Sequence, residues 1–291
     1  MLDGYASKGT WEGDIGRYAN EPVVSLVVPT KNCQHSVEAC LSSFIHQSYS
    51  SYEVLVVDAA STDGTAEVAR KHGARVITCL GPYGEAVDVG FREARGEIVG
   101  IFDDDIVLPH RQWLQNAVLR FAMSHHVSTV WPDQVSNPYA SMLNKLYLRH
   151  YSLIIDRRIK RKKGLVGGGN SLFRKDFVLG AAGTNPELHW GEDFDRALKL
   201  KKAGYQVVRY RDPIIHSTMS TFKELYNKQR HSARAFKPTK FRIMDLDEVD
   251  ILAEQLLLPT IGATMDLVRL RNSYWLLLAP YLLVKAVGFR R

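Results

Sequence analysis

The 291-residue chain is 45% hydrophobic and 24% charged, which suffices for one large core or a core with a small appendage and excludes a disordered class. A net charge of +7 and a pI near 9.2 favour an anionic partner, and charge alone leaves nucleic acid, a nucleotide-sugar and an acidic membrane surface open. Three cysteines, Cys33, Cys40 and Cys79, odd in number and without metal-site spacing, argue against a disulfide framework or zinc site and for a reducing compartment.

Residues 1–22, rich in Gly, Asp and Glu, have no signal-peptide core and read as a poorly ordered N-terminal tail. From Val23 the chain alternates strand-like and helix-like runs, the pattern of crossover units on a parallel sheet. Val23 to Val28 is a first strand, 36–47 an amphipathic helix, Glu53 to Val57 a second strand, 65–72 a helix, Ala74 to Thr78 a third strand and 85–95 a helix. The run from Gly96 to Phe102 follows as a fourth, buried strand. The four carboxyl ends then carry Thr30, Asp58, the loop Gly81-Pro-Tyr-Gly84 and the triplet Asp103, Asp104 and Asp105, so that edge is the expected active face.

Three adjacent carboxylates repel one another, and a divalent cation bridging to phosphate is the simplest relief; a helix N-cap with acidic first-turn neighbours is the competing reading. Asp63 before Gly64 reads as a helix cap, Asp58 as a contact to a nucleobase. Pro29 to Cys33 has neither dinucleotide-binding nor P-loop spacing, which disfavours both common nucleotide folds.

Farther along, 127–131 is strand-like and Tyr139 to Ile159 an aromatic, helix-compatible stretch flowing into the basic run Arg157 to Lys163. Gly167 to Ser171 is glycine-rich before the strand-like Leu172 and Phe173. Glu192 and Asp193 open a helix with apolar positions Phe194, Ala197, Leu198 and Leu200, and Asp212 to His216 reads as a last core strand. Tyr274 to Val284 is shorter than a spanning helix and contains Pro280, so it is expected to be an interfacial anchor or a helix packed on the domain.

Taken together, Val27-Val-Pro-Thr-Lys-Asn32, Val56-Val-Asp58-Ala-Ala-Ser-Thr-Asp63-Gly-Thr65, Ala94-Arg-Gly-Glu97 running into Phe102-Asp-Asp-Asp105, Gly167-Gly-Gly-Asn-Ser171 and Gly191-Glu-Asp193 resemble, in order and spacing, the family 2 glycosyltransferases. The resemblance spans about residues 23–236. It implies a GT-A fold, α/β with a mostly parallel nucleotide-binding sheet flanked by helices, a nucleotide-diphosphate-sugar donor (UDP-sugar or GDP-sugar), Mn2+ or Mg2+, and inversion at the anomeric carbon.

Position by position, it implies nucleotide contacts from Pro29, Thr30 and Asn32, with Asp58 on the base. Asp103 is expected near ribose and metal, Asp105 on the metal, and Asp104 pointing away. Asp193 is the expected base and Glu192 orients the acceptor; Asn170 and Ser171 lie beside the sugar, and His216 is a candidate metal ligand. Asp88 stands where the family often has asparagine. Gln229, Arg230 and Arg234 lack the tryptophan of the processive Gln-x-x-Arg-Trp signature, which argues against a processive synthase and leaves Arg230 or Arg234 to clamp a diphosphate.

The expected organisation is a tail over 1–22, a catalytic domain over 23–236, and C-terminal amphipathic or membrane-associating helices over 237–291. Partners are the donor, a lipid-linked or polysaccharide acceptor and a membrane surface, with no nucleic acid. The expected location is cytoplasmic, peripheral or monotopic at the cytosolic face. Sugar, nucleotide, acceptor and oligomeric state stay open. A nucleotidyltransferase on a related sheet and a non-catalytic basic module are the alternatives.

Overall fold

The computed structural model describes residues 22–161, 169–181, 183, 185, 191–218, 220–235, 254 and 277–288. The N-terminal tail, Gly167 and Gly168, and most of 237–276 lie outside these residues.

The first half is built from β1 (Val24–Thr30), α1 (Gln34–Ile45), β2 (Tyr52–Asp58), α2 (Thr65–Lys71), β3 (Arg75–Thr78), α3 (Tyr83–Glu93) and β4 (Ile98–Ile101). It continues through β5 (Ile106–Val107), α4 (Trp113–Val118), a 3-10 turn (Leu119–Met123), β6 (Val127–Val135) and α5 (Met142–Arg161). The second half adds β7 (Ser171–Arg174), α6 (Lys175–Gly180), α7 (Glu192–Lys202), β8 (Gln206–His216), α8 (Phe222–Ala235) and α9 (Leu278–Gly288). The strands form one eight-stranded sheet in the order β3-β2-β1-β4-β7-β6-β8-β5. Strands β1 to β4 are mutually parallel, as their apolar runs and intervening helices predict.

Beyond β4 the sheet departs from the simple reading. β7 inserts antiparallel between β4 and β6, and β5 pairs antiparallel with β8. The helix-cap alternative for the aspartates is thereby displaced, because the residues after Asp105 enter strand β5. The last core strand begins at Gln206, six residues before the expected Asp212.

Alternation along each strand feeds two apolar layers. Leu26 and Val28 of β1 pack with Val37, Leu41 and Phe44 of α1 and with Trp113 and Leu114 of α4. Val27 faces the other side with Leu55, Val87 and Phe91 of α3 and Leu200 of α7. α3 lies close on β1 because Gly90 has no side chain: a Cβ there would fall 2.5 Å from Val27 Cγ1. A third cluster joins Leu143 and Leu146 of α5, Leu225 of α8 and Tyr281 of α9. Pro280 sits in the first turn of α9, where its missing N–H breaks no intrahelical hydrogen bond. Among the described residues no helix is long and apolar enough to cross a membrane.

Candidate active site

Asp103 and Asp105 leave the carboxyl end of β4, and the base beneath them is rigid. Phe102 is fully buried between Phe44, at 5.6 Å between ring centroids, and Trp113, at 6.2 Å. Asn170 then fixes Asp103 at two points: its Oδ1 accepts from the Asp103 backbone N–H at 2.7 Å and its Nδ2 donates to Asp103 Oδ2 at 2.7 Å. Asn170 holds φ +48°, a left-handed conformation that asparagine tolerates better than most residues. Tyr83 donates its hydroxyl to the other carboxylate oxygen at 3.2 Å.

His216 reaches this pair because β8 pairs with β5, placing Ile106 opposite His216, and the Ser217 N–H closes onto the Asp105 carbonyl at 2.9 Å. His216 Nε2 lies 3.0 Å from Asp105 Oδ1 and 3.7 Å from Asp103 Oδ2. On the other side of the ring, Nδ1 lies 2.7 Å from Gln134 Oε1. With Nδ1 donating to that amide, Nε2 is the nitrogen left facing the aspartates, a donor to Asp105 when it carries a proton and a ligand atom when it does not. A register shift in the β6–β8 ladder between Pro132 and Gln134 accompanies this placement, a common device for re-aiming a side chain beside a site.

The three residues present ligand atoms that all lie within 4.8 Å of one another. Asp105 Oδ1 is buried with no hydrogen bond of acceptable geometry, although Nε2 stands 3.0 Å away. Two acceptor atoms facing one point fit a shared cation, and an oxygen-rich set with one imidazole suits Mn2+ or Mg2+. Burial works against the Asp105 carboxylate, but His216 and Lys228 outweigh it and hold its pKa below the usual range. Lys228 of α8, over the Tyr147 ring at 5.1 Å, is likewise kept charged against burial by Tyr147, Asp103 and Asp105.

Asp104 turns the other way. Its Oδ2 accepts from Ser36 Oγ of α1 at 2.7 Å, and burial raises its pKa.

Glu192 and Asp193 open α7 after Gly191, which holds φ +83°. Glu192 is 7% exposed, and burial first, then the Asp193 charge, push its pKa up to about 8 against the pull of Arg196. Arg196 is itself buried under Phe173, 4.8 Å from its ring centroid. Asp193 is more open and borders the backbone of Gly169, where a Cβ would lie 3.7 Å from Asp193 Oδ2. Tyr151 of α5 faces it: burial, then Asp193, raise the phenol.

The expected nucleotide residues gather at the ends of β1 and β2. Thr30 Oγ1 donates to Asp58 Oδ1 at 3.2 Å, and Ser61 donates its N–H to Oδ2 at 2.9 Å and its Oγ to Oδ1 at 2.5 Å. Asn32, at φ +50°, accepts from the Thr62 N–H at 2.9 Å. Pro29 completes the fully buried β1 backbone, and Asp63 caps both α1, through the Gln34 N–H, and α2, through Thr65. Asp88 accepts from Arg92 at 2.7 Å within α3. Ser171 is buried in β7 and donates to the Gly169 carbonyl at 2.9 Å. Arg230 is exposed on α8 and lies 5.8 Å from the Tyr226 ring centroid; the side chain of Arg234 lies outside the described residues. Gln134, Tyr83 and Lys228 had no assigned role in the sequence, and only Tyr83 carried a signal, its place in the loop after β3.

Residues 25–179 match the sequence profile described as Glycosyl transferase family 2. The chain is similar to the glycosyltransferase AglE of Haloferax volcanii, 27% identical over 226 residues that cover 72% of this chain and 71% of that protein. It is also similar to the chondroitin synthase of Escherichia coli, 31% identical over 190 residues, 63% of this chain and 27% of that protein. Among solved structures, mannosyltransferase PcManGT from Pyrobaculum calidifontis, in complex with GDP-Man and Mn2+, superposes with a TM-score of 0.63 at 21% identity, covering 93% of this chain and 88% of that one. Glucosyl-3-phosphoglycerate synthase from Mycobacterium tuberculosis, with Mn2+, UDP and phosphoglyceric acid, gives 0.57 at 17% identity over 84% and 86% of the two chains. The sheet order, the flanking helix layers and these superpositions make the fold GT-A, and with the profile match spanning more than half of the sequence, the chain belongs to glycosyltransferase family 2.

Proposed function

We propose that this glycosyltransferase is a metal-dependent, inverting enzyme that moves one sugar from a UDP- or GDP-sugar to a lipid-linked or polysaccharide acceptor at a membrane surface. The observation that carries the reading is the Asp103–Asp105–His216 donor set with its orphaned buried oxygen. Further support comes from the nucleotide and Mn2+ held by the mannosyltransferase above, and from an Escherichia coli relative, WfgD, described as a UDP-Glc:alpha-D-GlcNAc-diphosphoundecaprenol beta-1,3-glucosyltransferase, 27% identical over 99 residues, 32% of this chain and 37% of that protein.

In this reading Asp103, Asp105 and His216 hold Mn2+ or Mg2+, which when bound neutralises charge on the donor diphosphate. Pro29, Thr30, Asn32 and Asp58 shape the nucleotide pocket, with Asn170 acting through Asp103. Lys228, whose charge both aspartates favour, takes the diphosphate role beside Arg230 and Arg234.

Burial and the Asp193 charge keep a proton on Glu192 at neutral pH. The buried Glu192 hydrogen-bonds the acceptor, and the more open Asp193 is placed to take its proton. Asp193 removes the proton of the acceptor hydroxyl as its oxygen bonds to the anomeric carbon and the bond to the diphosphate oxygen breaks. The catalytic domain is assigned to 23–236, with 237–291 as a C-terminal segment whose α9 exposes Leu283 at 64%.

The test is a screen of UDP- and GDP-sugars with Mn2+ or Mg2+, reading released nucleoside diphosphate with and without a membrane lipid extract. Metal-dependent release is expected, and Asp193→Asn should slow transfer about 10²–10⁴-fold. Wild-type transfer by Asp193→Asn at saturating donor removes the base assignment; release indifferent to chelation removes the metal.

A further inference from the structure

The loop between β6 and α5 carries Tyr139, 97% exposed, flanked by Val135 at 41% and Met142 at 43%. An aromatic ring left almost wholly in water is informative when its backbone is fixed, and this one is. The Tyr139 N–H donates to Asn137 Oδ1 at 2.8 Å, the Ala140 N–H to the Asn137 carbonyl at 2.9 Å, and Lys145 Nζ to the Pro138 carbonyl at 2.7 Å.

Both ends of the loop are tied to the segment that carries His216. On the β6 side Val135 pairs with Ile215, and Gln134 bonds the His216 ring. On the α5 side Asn144 Nδ2 donates to the Thr218 carbonyl at 2.8 Å. From there α5 runs back along the site: Tyr147 lies under Lys228, and Tyr151, one turn on, faces Asp193.

We propose that Tyr139 is the stacking platform of a distal acceptor subsite, taking a sugar ring of a glycan acceptor several residues back from the hydroxyl that is glycosylated. This rests on the reading of Asp193 as the base. The distance sets the register: Met142 to Tyr151 rises about 14 Å along a helix, longer than a disaccharide, so Tyr139 is too remote for the sugar that reacts. The chemistry sets the class. The C–H face of a pyranose is apolar and its rim is hydroxylated, which matches a tyrosine ring with a polar tip, and the backbone that carries the ring is fixed before binding, so only the side chain is ordered.

The experiment measures binding by titration calorimetry to the full chain with Mn2+ and UDP or GDP, using cello-, chito-, manno- and maltotetraose and the matching disaccharides. The wild type is expected to bind at least one tetrasaccharide more tightly than its disaccharide. Tyr139→Ala should weaken that tetrasaccharide about tenfold, to the level of the disaccharide, while Tyr139→Phe and Tyr139→Trp stay within about threefold. Leu119→Ala, another exposed apolar position, should match the wild type. Equal affinity of Tyr139→Ala and wild type, or no tetrasaccharide preference in the wild type, overturns the proposal. So does a Tyr139→Ala variant that loses co-sedimentation with phosphatidylglycerol vesicles and keeps the glycan affinity, which identifies a membrane contact instead. Nucleoside diphosphate release is scored separately: glycan binding with no release from any donor defeats the catalytic reading and leaves the subsite standing, and the reverse pattern defeats the subsite alone.

Discussion

Replacing Glu192 by Gln should stabilise the protein, and by an amount that depends on pH. Burial and the Asp193 charge lift this carboxyl from an ordinary 4.5 to about 8. Below pH 4.5 the folded and unfolded chains both hold the proton and nothing is lost. As the pH rises toward 8 the unfolded chain releases the proton while the folded chain retains it, so stability falls; above 8 the loss is constant. At about 1.4 kcal/mol per tenfold change in proton affinity the ceiling is roughly 5 kcal/mol, and coupling to Asp193 and relaxation of the site bring the expectation to about 2–3 kcal/mol. Glutamine keeps the shape and never ionises, so the variant escapes the loss. The assay is thermal unfolding in chelator at pH 5.0 to 9.0: the two proteins should melt within about 2 °C of each other at pH 5.0, with Glu192→Gln about 5–10 °C higher at pH 8.5. A melting difference that is flat across this range, or largest at pH 5.0, refutes the assignment of a buried, proton-holding carboxyl.

Gln134→Leu removes the acceptor that fixes His216 without touching the three ligand residues. The apparent Mn2+ affinity, read from metal titration of nucleoside diphosphate release, should fall about 10–100-fold while the rate at saturating metal stays within a few-fold; an unchanged titration midpoint would show that the Gln134 bond does not orient the ring. Asp104→Asn should keep transfer within a few-fold of wild type because its partner Ser36 can hydrogen-bond an amide as well, whereas Asp105→Asn should lose at least about a hundredfold. Equal losses in the two variants would make Asp104 a member of the site.

The parallel half of the sheet was legible because local signals agreed. Apolar runs of strand length stop at Pro29, Asp58 and Asp103, and amphipathic helices separate them, so crossover connections were the economical solution. The other half was not legible for a definite reason. Ser171–Arg174 is four residues long and fully buried, and nothing in so short a run encodes whether it pairs parallel or antiparallel. β5 is two residues and exists through its pairing with β8. Likewise Gln134 and His216 are 82 residues apart, joined by a ladder whose register shift no local pattern announces. The run from Asp212 placed His216 at a strand end, and only the family resemblance made it a candidate metal ligand. The last helix matches one of its two expected readings, a helix packed on the domain, with Tyr281 buried against α5 and α8 and Pro280 accommodated in the first turn.

The aspartate triplet shows how adjacent identical residues acquire different work. Between β4 and β5 the backbone turns at Asp104 and Asp105, and the partners show the result: Asp103 and Asp105 face His216 while Asp104 faces Ser36. On the first side stand Asn170, Tyr83, His216 and the Lys228 charge, delivered by β7, α3, β8 and α8. On the second side stands the start of α1, where Ser36 and the Cys33 thiol engage Asp104. Three like charges within three residues would be costly if all faced one cavity. Here burial pushes Asp104 toward its neutral form while His216 and Lys228 favour the ionised form of Asp105, so the protein itself relieves the local repulsion. The same turn that sets one carboxylate beside His216 makes its neighbour a structural hydrogen-bond partner, so the separation is a property of the backbone between β4 and β5, not of the side chains.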